Sequence, residues 1–150
     1  MPTASLVRPF CLPVRLTLPS ALPRPCVVLF VADVARVSAF YGELARMSIL
    51  HEETSHAVLA IDGMELVIHR LPPDSTDPSA PITVRDDSYT KLCLPVPRIA
   101  IARETAKRLG GAIAPPDQEW ESRGFRACDG YDPEGNVIQV RETAGPSSPG

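Results

Sequence analysis

The residues of this chain that could do chemistry are few and scattered. Of its three histidines, His51, His56 and His69, only His69 has an acidic companion in pattern, because Glu65 lies four residues earlier on the same face of a β-rich stretch. Such a pair could hold a divalent ion, although a histidine near a strand end more often marks an edge or a hydrogen bond. His51 and His56 show no partner in the sequence and read as surface strand residues. The four cysteines, Cys11, Cys26, Cys93 and Cys128, have neither CxxC nor zinc-finger spacing. Cys93 and Cys128 therefore read as small core residues. Asp129, Asp132 and Glu134 resemble a calcium-loop run, but Pro133, Gly135 and Asn136 among them are turn chemistry. Trp120 is the only tryptophan and either packs on a sheet or stacks on a flat ligand. Arg126 and Arg141 could orient an anion, or simply end strands in solvent. There is no GxSxG, no HExxH and no glycine-rich phosphate loop.

The elements that must position these side chains repeat. Cys26 to Val31 is a β-branched apolar run. Asp33 is a suitable N-cap for a helix over 34–45, with Val34, Val37, Phe40, Tyr41 and Leu44 at helical spacing. Short strands are expected at 49–53, 56–61 and 64–70. A second apolar run starts at Lys91, a helix is expected over 98–109 and ends at Gly110-Gly111, and strands follow at 119–123, 125–129 and 136–141. Sliding Cys26 onto Lys91 sets Val27 on Leu92, Leu29 on Leu94, Val31 on Val96, Val34 on Ile99 and Leu44 on Leu109. Apolar falls on apolar through strand and helix together. The chain reads as one βαβββ module written twice, at 26–70 and 89–142.

The rest is punctuation. Seventeen prolines concentrate at the ends and in the middle. Residues 1–25 are proline-rich with arginines and no acid, which fits a poorly ordered extension better than a targeting signal. Residues 71–88 read as a linker and 143–150 as a disordered tail. A net charge of −3 gives no electrostatic case for nucleic acid. No apolar run approaches the roughly 20 residues of a membrane helix. Unpaired thiols suit a reducing cytoplasm.

The helix phrase Asp33…Ala39-Phe40-Tyr41…Leu44, the paired modules and the ending Asp132-Pro133-Glu134-Gly135-Asn136-Val137-Ile138-Gln139 together resemble the vicinal oxygen chelate superfamily. That group includes glyoxalase I, extradiol dioxygenases, fosfomycin-resistance enzymes and bleomycin-resistance proteins. The resemblance covers about 26–142. It implies an α+β fold of two curved mixed sheets around a cavity, with helices on the outer faces, and a homodimer that completes the cavity. Strand alternation then sends Val27, Leu29, Val31, Leu92, Leu94 and Val96 toward the helices. The cavity face carries Cys26, Val28 and Phe30, then Glu65, Val67 and His69, then Lys91, Cys93 and Pro95, then Val137, Gln139 and Arg141.

In metal-using members, ligands come from the first and last strands of each module. By position these are Cys26, Glu65, Lys91 and Gln139 here. Lys91 is a cation where a cation would bind, and an ammonium has no lone pair to offer. The resemblance thus implies a metal-free centre in which Lys91 pairs with Glu65 across the cavity floor. The expected ligand site is lined by Cys26, Val28, Phe30, Val67, His69, Cys93, Trp120, Gln139 and Arg141 and holds a small organic molecule, as in bleomycin-resistance proteins. Two alternatives stay open. A divalent ion (Zn, Ni, Mn or Fe) could be held by Glu65, Gln139 and Cys26 or His69 in a glyoxalase- or dioxygenase-like enzyme acting on vicinal oxygens. Glu65 could also serve as an acid–base catalyst tuned by Lys91.

Overall fold

The β-branched run at Cys26–Val31 forms strand β1, and Asp33 caps the helix behind it by accepting a hydrogen bond from the Arg36 amide at 3.0 Å. A computed structural model describes residues 22–75, 77 and 79–145. In it α1 spans Val34–Leu44, followed by β2 (Ser48–Glu52), β3 (His56–Ile61) and β4 (Met64–Arg70). The second half holds β5 (Leu92–Pro95), α2 (Ile99–Arg108), β6 (Ala112–Ile113), β7 (Trp120–Ser122), β8 (Phe125–Tyr131) and β9 (Val137–Thr143).

The fold is α+β, and the repeat is real. The first sheet has the order β1-β4-β3-β2 and the second β5-β9-β8-β6, with β7 also paired to β8. In each, the opening strand runs parallel to the closing strand and the remaining pairings are antiparallel. The short β6, absent from the sequence reading, belongs to this scheme. β6 and β7 flank the same edge of β8, and between them lie Pro115 and Pro116 in a short 3₁₀ turn. Proline donates no ladder hydrogen bond, so a strand that is continuous in the first module is broken here. Past Arg108 and the C-cap Leu109, Gly110 at φ +88° ends the helix.

One core joins both modules. Val31, Val34, Val37, Phe40, Tyr41 and Leu44 pack with Leu59, Leu66, Ile68, Leu94, Ile99, Ile138 and Val140. Burying each large side chain stabilises by roughly 1.5–3 kcal/mol. Val31, Leu94 and Val96 face the helices as expected, with Leu29 and Leu92 partly buried beside them. Val27 does not: it is 40% exposed on the edge strand β1, where it lines a cavity instead.

The two phrases that carried the resemblance meet in space. The Tyr41 hydroxyl donates to Asp132 Oδ2 at 3.0 Å, both residues being fully buried. Asp132 also accepts from the amides of Glu134 and Asn136 and from Asn136 Nδ2, which fixes the hairpin turn. Glu134 reaches back to accept from the amides of Ala32 and Asp33, just ahead of α1. Burial first, then the Asp132 charge and hydrogen bond, hold the Tyr41 hydroxyl well above its usual pKa. The turn after β8 is therefore a clasp on the first module's helix.

Boundaries shift slightly. The last strand continues to Thr143, so the expected tail begins later, and residues 146–150 lie outside the described part. Of the expected extension, 1–21 lies outside it as well. The linker is seated rather than free-standing: the Arg85 amide donates to Gly135 O at 2.8 Å. Gly135 itself sits at φ +82°, and a Cβ there would lie 2.3 Å from Thr83 O. No helix among the described residues is long and apolar enough to cross a membrane.

Candidate functional site

Strand alternation brings the predicted site residues together in two groups, one on each sheet. On the first sheet Cys26 is in register with Glu65, Val28 with Val67 and Phe30 with His69. All six share the face turned away from α1. Val28 and Phe30 are about half exposed, and the Phe30 and His69 rings lie 5.7 Å apart. On the second sheet Cys93 pairs with Gln139, Gln139 with Asp129, and Arg141 with Ala127, which in turn pairs with Trp120.

The second group is wired into a chain of hydrogen bonds. Lys91 Nζ donates to Asp129 Oδ2 at 2.8 Å, Gln139 Nε2 to Asp129 Oδ1 at 2.9 Å, and Arg141 Nε to Gln139 Oε1 at 2.7 Å. The Arg141 guanidinium then lies over the Phe125 ring at 4.7 Å, a cation–π contact. Trp120 packs edge-on with the same Phe125 ring, 6.1 Å between centroids, and is 43% exposed. Partial burial pushes the Asp129 carboxyl up, but the hydrogen bonds from Lys91 and Gln139 and the lysine charge outweigh it and leave it below the usual carboxylate range.

This network corrects the expected Glu65–Lys91 pair. Lys91 enters β5 of the second sheet, Glu65 lies on β4 of the first, and the nearest carboxylate to the ammonium is Asp129 on its own sheet. Glu65 forms no ion pair among the described residues, so an acid–base couple of Glu65 with Lys91 is not assembled. The improvised ligand pair of Glu65 and His69 fails for a geometric reason. Four residues along a strand span about 13 Å, too far for one ion. His69 Nδ1 instead lies 2.9 Å from the Arg70 carbonyl. Nor do the positions implied for a metal fit one on the second sheet, where Gln139 has its oxygen taken by Arg141 and Lys91 can only donate.

Between the two groups runs a cavity of about 450 Å³, where the edge strand β1 faces β5 and the start of β9. Val28, Phe30, Lys91 and Val137 line it, as expected, but so do Val27, Leu29 and Leu92, read as helix-facing, because the cavity opens along the edge of β1; Arg85 and Ser88 of the linker and the following Thr90 complete the wall. Cys26, Glu65, Val67, His69, Cys93, Trp120, Gln139 and Arg141 are not among its lining residues. They stand on the open sheet faces beyond it. Cys128 is buried, as read from the sequence, and its thiol, raised in pKa by burial, donates to Ala114 O at 3.3 Å. Cys26 is exposed and Cys93 partly buried; both are free thiols.

Four residues escape the sequence reading. Asp129 was assigned to the hairpin turn, yet β8 runs on to Tyr131, and continuing the alternation would have set it beside Gln139. Arg85 lay in a linker with no pattern to read. His51 and His56 read as isolated surface residues, yet their ring centroids lie 5.0 Å apart in one cluster.

No protein-family model matches the chain, and no curated protein sequence does. Solved structures do. A glyoxalase/bleomycin resistance protein/dioxygenase family enzyme from Burkholderia phytofirmans superposes with TM-score 0.58 at 16% identity, covering 79% of this chain and 96% of that one. The genomically encoded fosfomycin resistance protein of Listeria monocytogenes gives 0.56 at 18% identity, over 85% and 96%. An integron cassette protein from V. cholerae gives 0.54 at 22% identity, over 83% and 98%. Likeness at these identities is likeness of fold. With its paired modules, its clasped hairpin and these neighbours, the chain has the vicinal oxygen chelate fold of the glyoxalase, bleomycin-resistance and dioxygenase proteins.

Proposed function

We propose that this chain is a small-molecule-binding protein whose central cavity is organised by a lysine instead of a metal. The observation that carries the reading is the contact of Lys91 Nζ with Asp129 at 2.8 Å. It supports reading the ammonium as a stand-in for the metal of metal-using members, and Gln139 joins the same network through Asp129. Both side chains are partly exposed, so the pair orients the site more than it stabilises the fold.

The cavity's size is within the range of about 300–1,000 Å³ usual for organic ligands. Its walls are apolar at Val28 and Phe30 and cationic at Arg85 and Lys91, with no acidic side chain among the lining residues. That combination favours a flat or branched apolar molecule bearing an acidic group, bound or sequestered as bleomycin-resistance proteins do. The half-exposed Val28 and Phe30 on an edge strand suit a homodimer in which a second copy closes the cavity. Free thiols favour a reducing, cytoplasmic setting.

Thermal melts with a panel of aromatic and aliphatic acids, each against its neutral amide, test the reading. A ligand present at 100 times its Kd should add about 2.7 kcal/mol of stability. The gain should favour the acid and vanish in Arg85→Ala and Lys91→Ala. Equal response to acid and amide, unchanged in both variants, would remove the cavity from consideration.

A second reading has an observation of its own. The Listeria fosfomycin resistance protein has been solved with manganese(II) and sulfate, and Glu65 here has no ion-pair partner among the described residues. A glyoxalase- or dioxygenase-like enzyme would use Glu65 with Cys26 and a residue of a second copy. Stoichiometric metal in protein purified without chelator, lost in Glu65→Ala, would favour it.

A further inference from the structure

The chain's three histidines all reach the open face of the first sheet, and the cavity uses none of them. The cause is a register shift in β2. Ile49 stands opposite Leu59 but His51 stands opposite Val58, so Leu50 is an extra residue in the ladder. A bulge re-aims every side chain beyond it. Without it His51 would face Ala57, on the buried side toward α1. With it, His51 and Glu53 share the open face with Val58 and, two residues before that, His56. The Glu53 amide donates to His56 O at 2.8 Å and closes the turn.

The result is a compact donor set. One ligand atom from each of His51, Glu53 and His56 lies within 4.8 Å of the other two, and His51 Nε2 is 3.1 Å from Glu53 Oε1. Ser55 Oγ lies 3.1 Å from His56 Nδ1. When that nitrogen donates to the hydroxyl, Nε2 keeps its lone pair for a metal, the usual outer arrangement around a ligating imidazole. His69 stacks on the far side of His56, its ring tilted by only 21°. Its Nδ1 can only donate to the Arg70 carbonyl, so its Nε2 also carries a lone pair. Two imidazoles and a carboxylate with solvent access are the donor set of open zinc sites and also suit Ni²⁺ and Cu²⁺.

We propose that His51, Glu53 and His56 form a site for a borderline divalent cation, Zn²⁺ foremost, on the β2–β3 hairpin. It lies at the opposite edge of the first sheet from the Lys91 cavity and does not depend on how that cavity is used.

Calorimetric titration of the full chain with Zn²⁺, paralleled by Co²⁺ absorption, tests it. One ion per chain is expected, with affinity falling more than about a hundredfold in His51→Ala and His56→Ala and roughly tenfold in Ser55→Ala. Far-ultraviolet circular dichroism of each variant checks that the fold is kept. No binding by the wild type, or equally weak binding by wild type and both histidine variants, overturns the site and leaves the cavity reading intact. Binding that survives both histidine variants but is lost in Glu65→Gln overturns the site and the metal-free cavity together.

Discussion

The open faces of the two sheets come from the same module and differ in how their polar groups are satisfied. On the second sheet Lys91, Asp129, Gln139 and Arg141 form one connected chain that ends on the Phe125 ring. On the first, Phe30, His69 and His56 stand in one cross-strand row with His51 beyond them, and His51 Nε2 lies 3.1 Å from Glu53 Oε1. A duplicated backbone therefore fixes which positions reach the open sheet faces but not their chemistry. One face has its charges internally paired, and the other keeps lone pairs available. A ligand with an acid suits the edge where Lys91 stands; a cation suits the histidine edge.

The clasp that keeps the two faces in their relation gives the largest expected effects. Asp132→Ala should destabilise by about 3 kcal/mol, since it leaves the Tyr41 hydroxyl and two turn amides unpaired. Tyr41→Phe removes one hydrogen bond to a carboxylate and should cost roughly 1.5–3 kcal/mol. Urea midpoints at neutral pH measure both. The Tyr41 hydroxyl's pKa is raised in the folded chain, so its contribution is complete below the unfolded value of 10.0 and lost as pH rises above it. Tyr41→Phe should lack that alkaline loss; an identical alkaline limb in the two proteins would contradict the clasp.

Exchanging chemistry between the faces comes next. Lys91→His replaces an ammonium with an imidazole and frees Asp129, so if the lysine stands in for a metal the second sheet should acquire divalent-ion binding. Dialysis against Zn²⁺ of a His51→Ala, Lys91→His double variant reads this without interference from the hairpin. If no ion is gained, Lys91 is not standing in for a metal.

A smaller effect concerns acid. The Asp129 carboxyl is held below its usual 3.8, so its contribution is present above that value and lost as pH falls through the lowered one. Its side chain is 49% exposed, which keeps the effect modest. Lys91→Ala should flatten the acid limb of stability against pH below about 4. An unchanged limb would mean that the pair is screened out. Least of all should matter the exposed contact of Arg108 with Glu43 between the two helices: Arg108→Ala should leave the urea midpoint unchanged.

Much of this was legible in the residues themselves. Alternation of β-branched and polar side chains marks the strands, Asp33 and Gly110 bound the helices, and the offset between Cys26 and Lys91 exposes the duplication. Those signals are local, because backbone geometry sets a period of two in strands and 3.6 in helices whatever the partners. Parity also placed Cys26, Glu65, His69, Cys93, Gln139 and Arg141 on the open faces correctly. What only the tertiary structure decided is which of those groups touch. Tyr41 finds Asp132 across 91 residues. Lys91 takes Asp129 rather than Glu65 because the carboxylate on its own sheet is within hydrogen-bond reach and the other is on a different sheet. His51 turns outward because one inserted residue at Leu50 reverses its face, an event of strand pairing that no periodicity in β2 alone records.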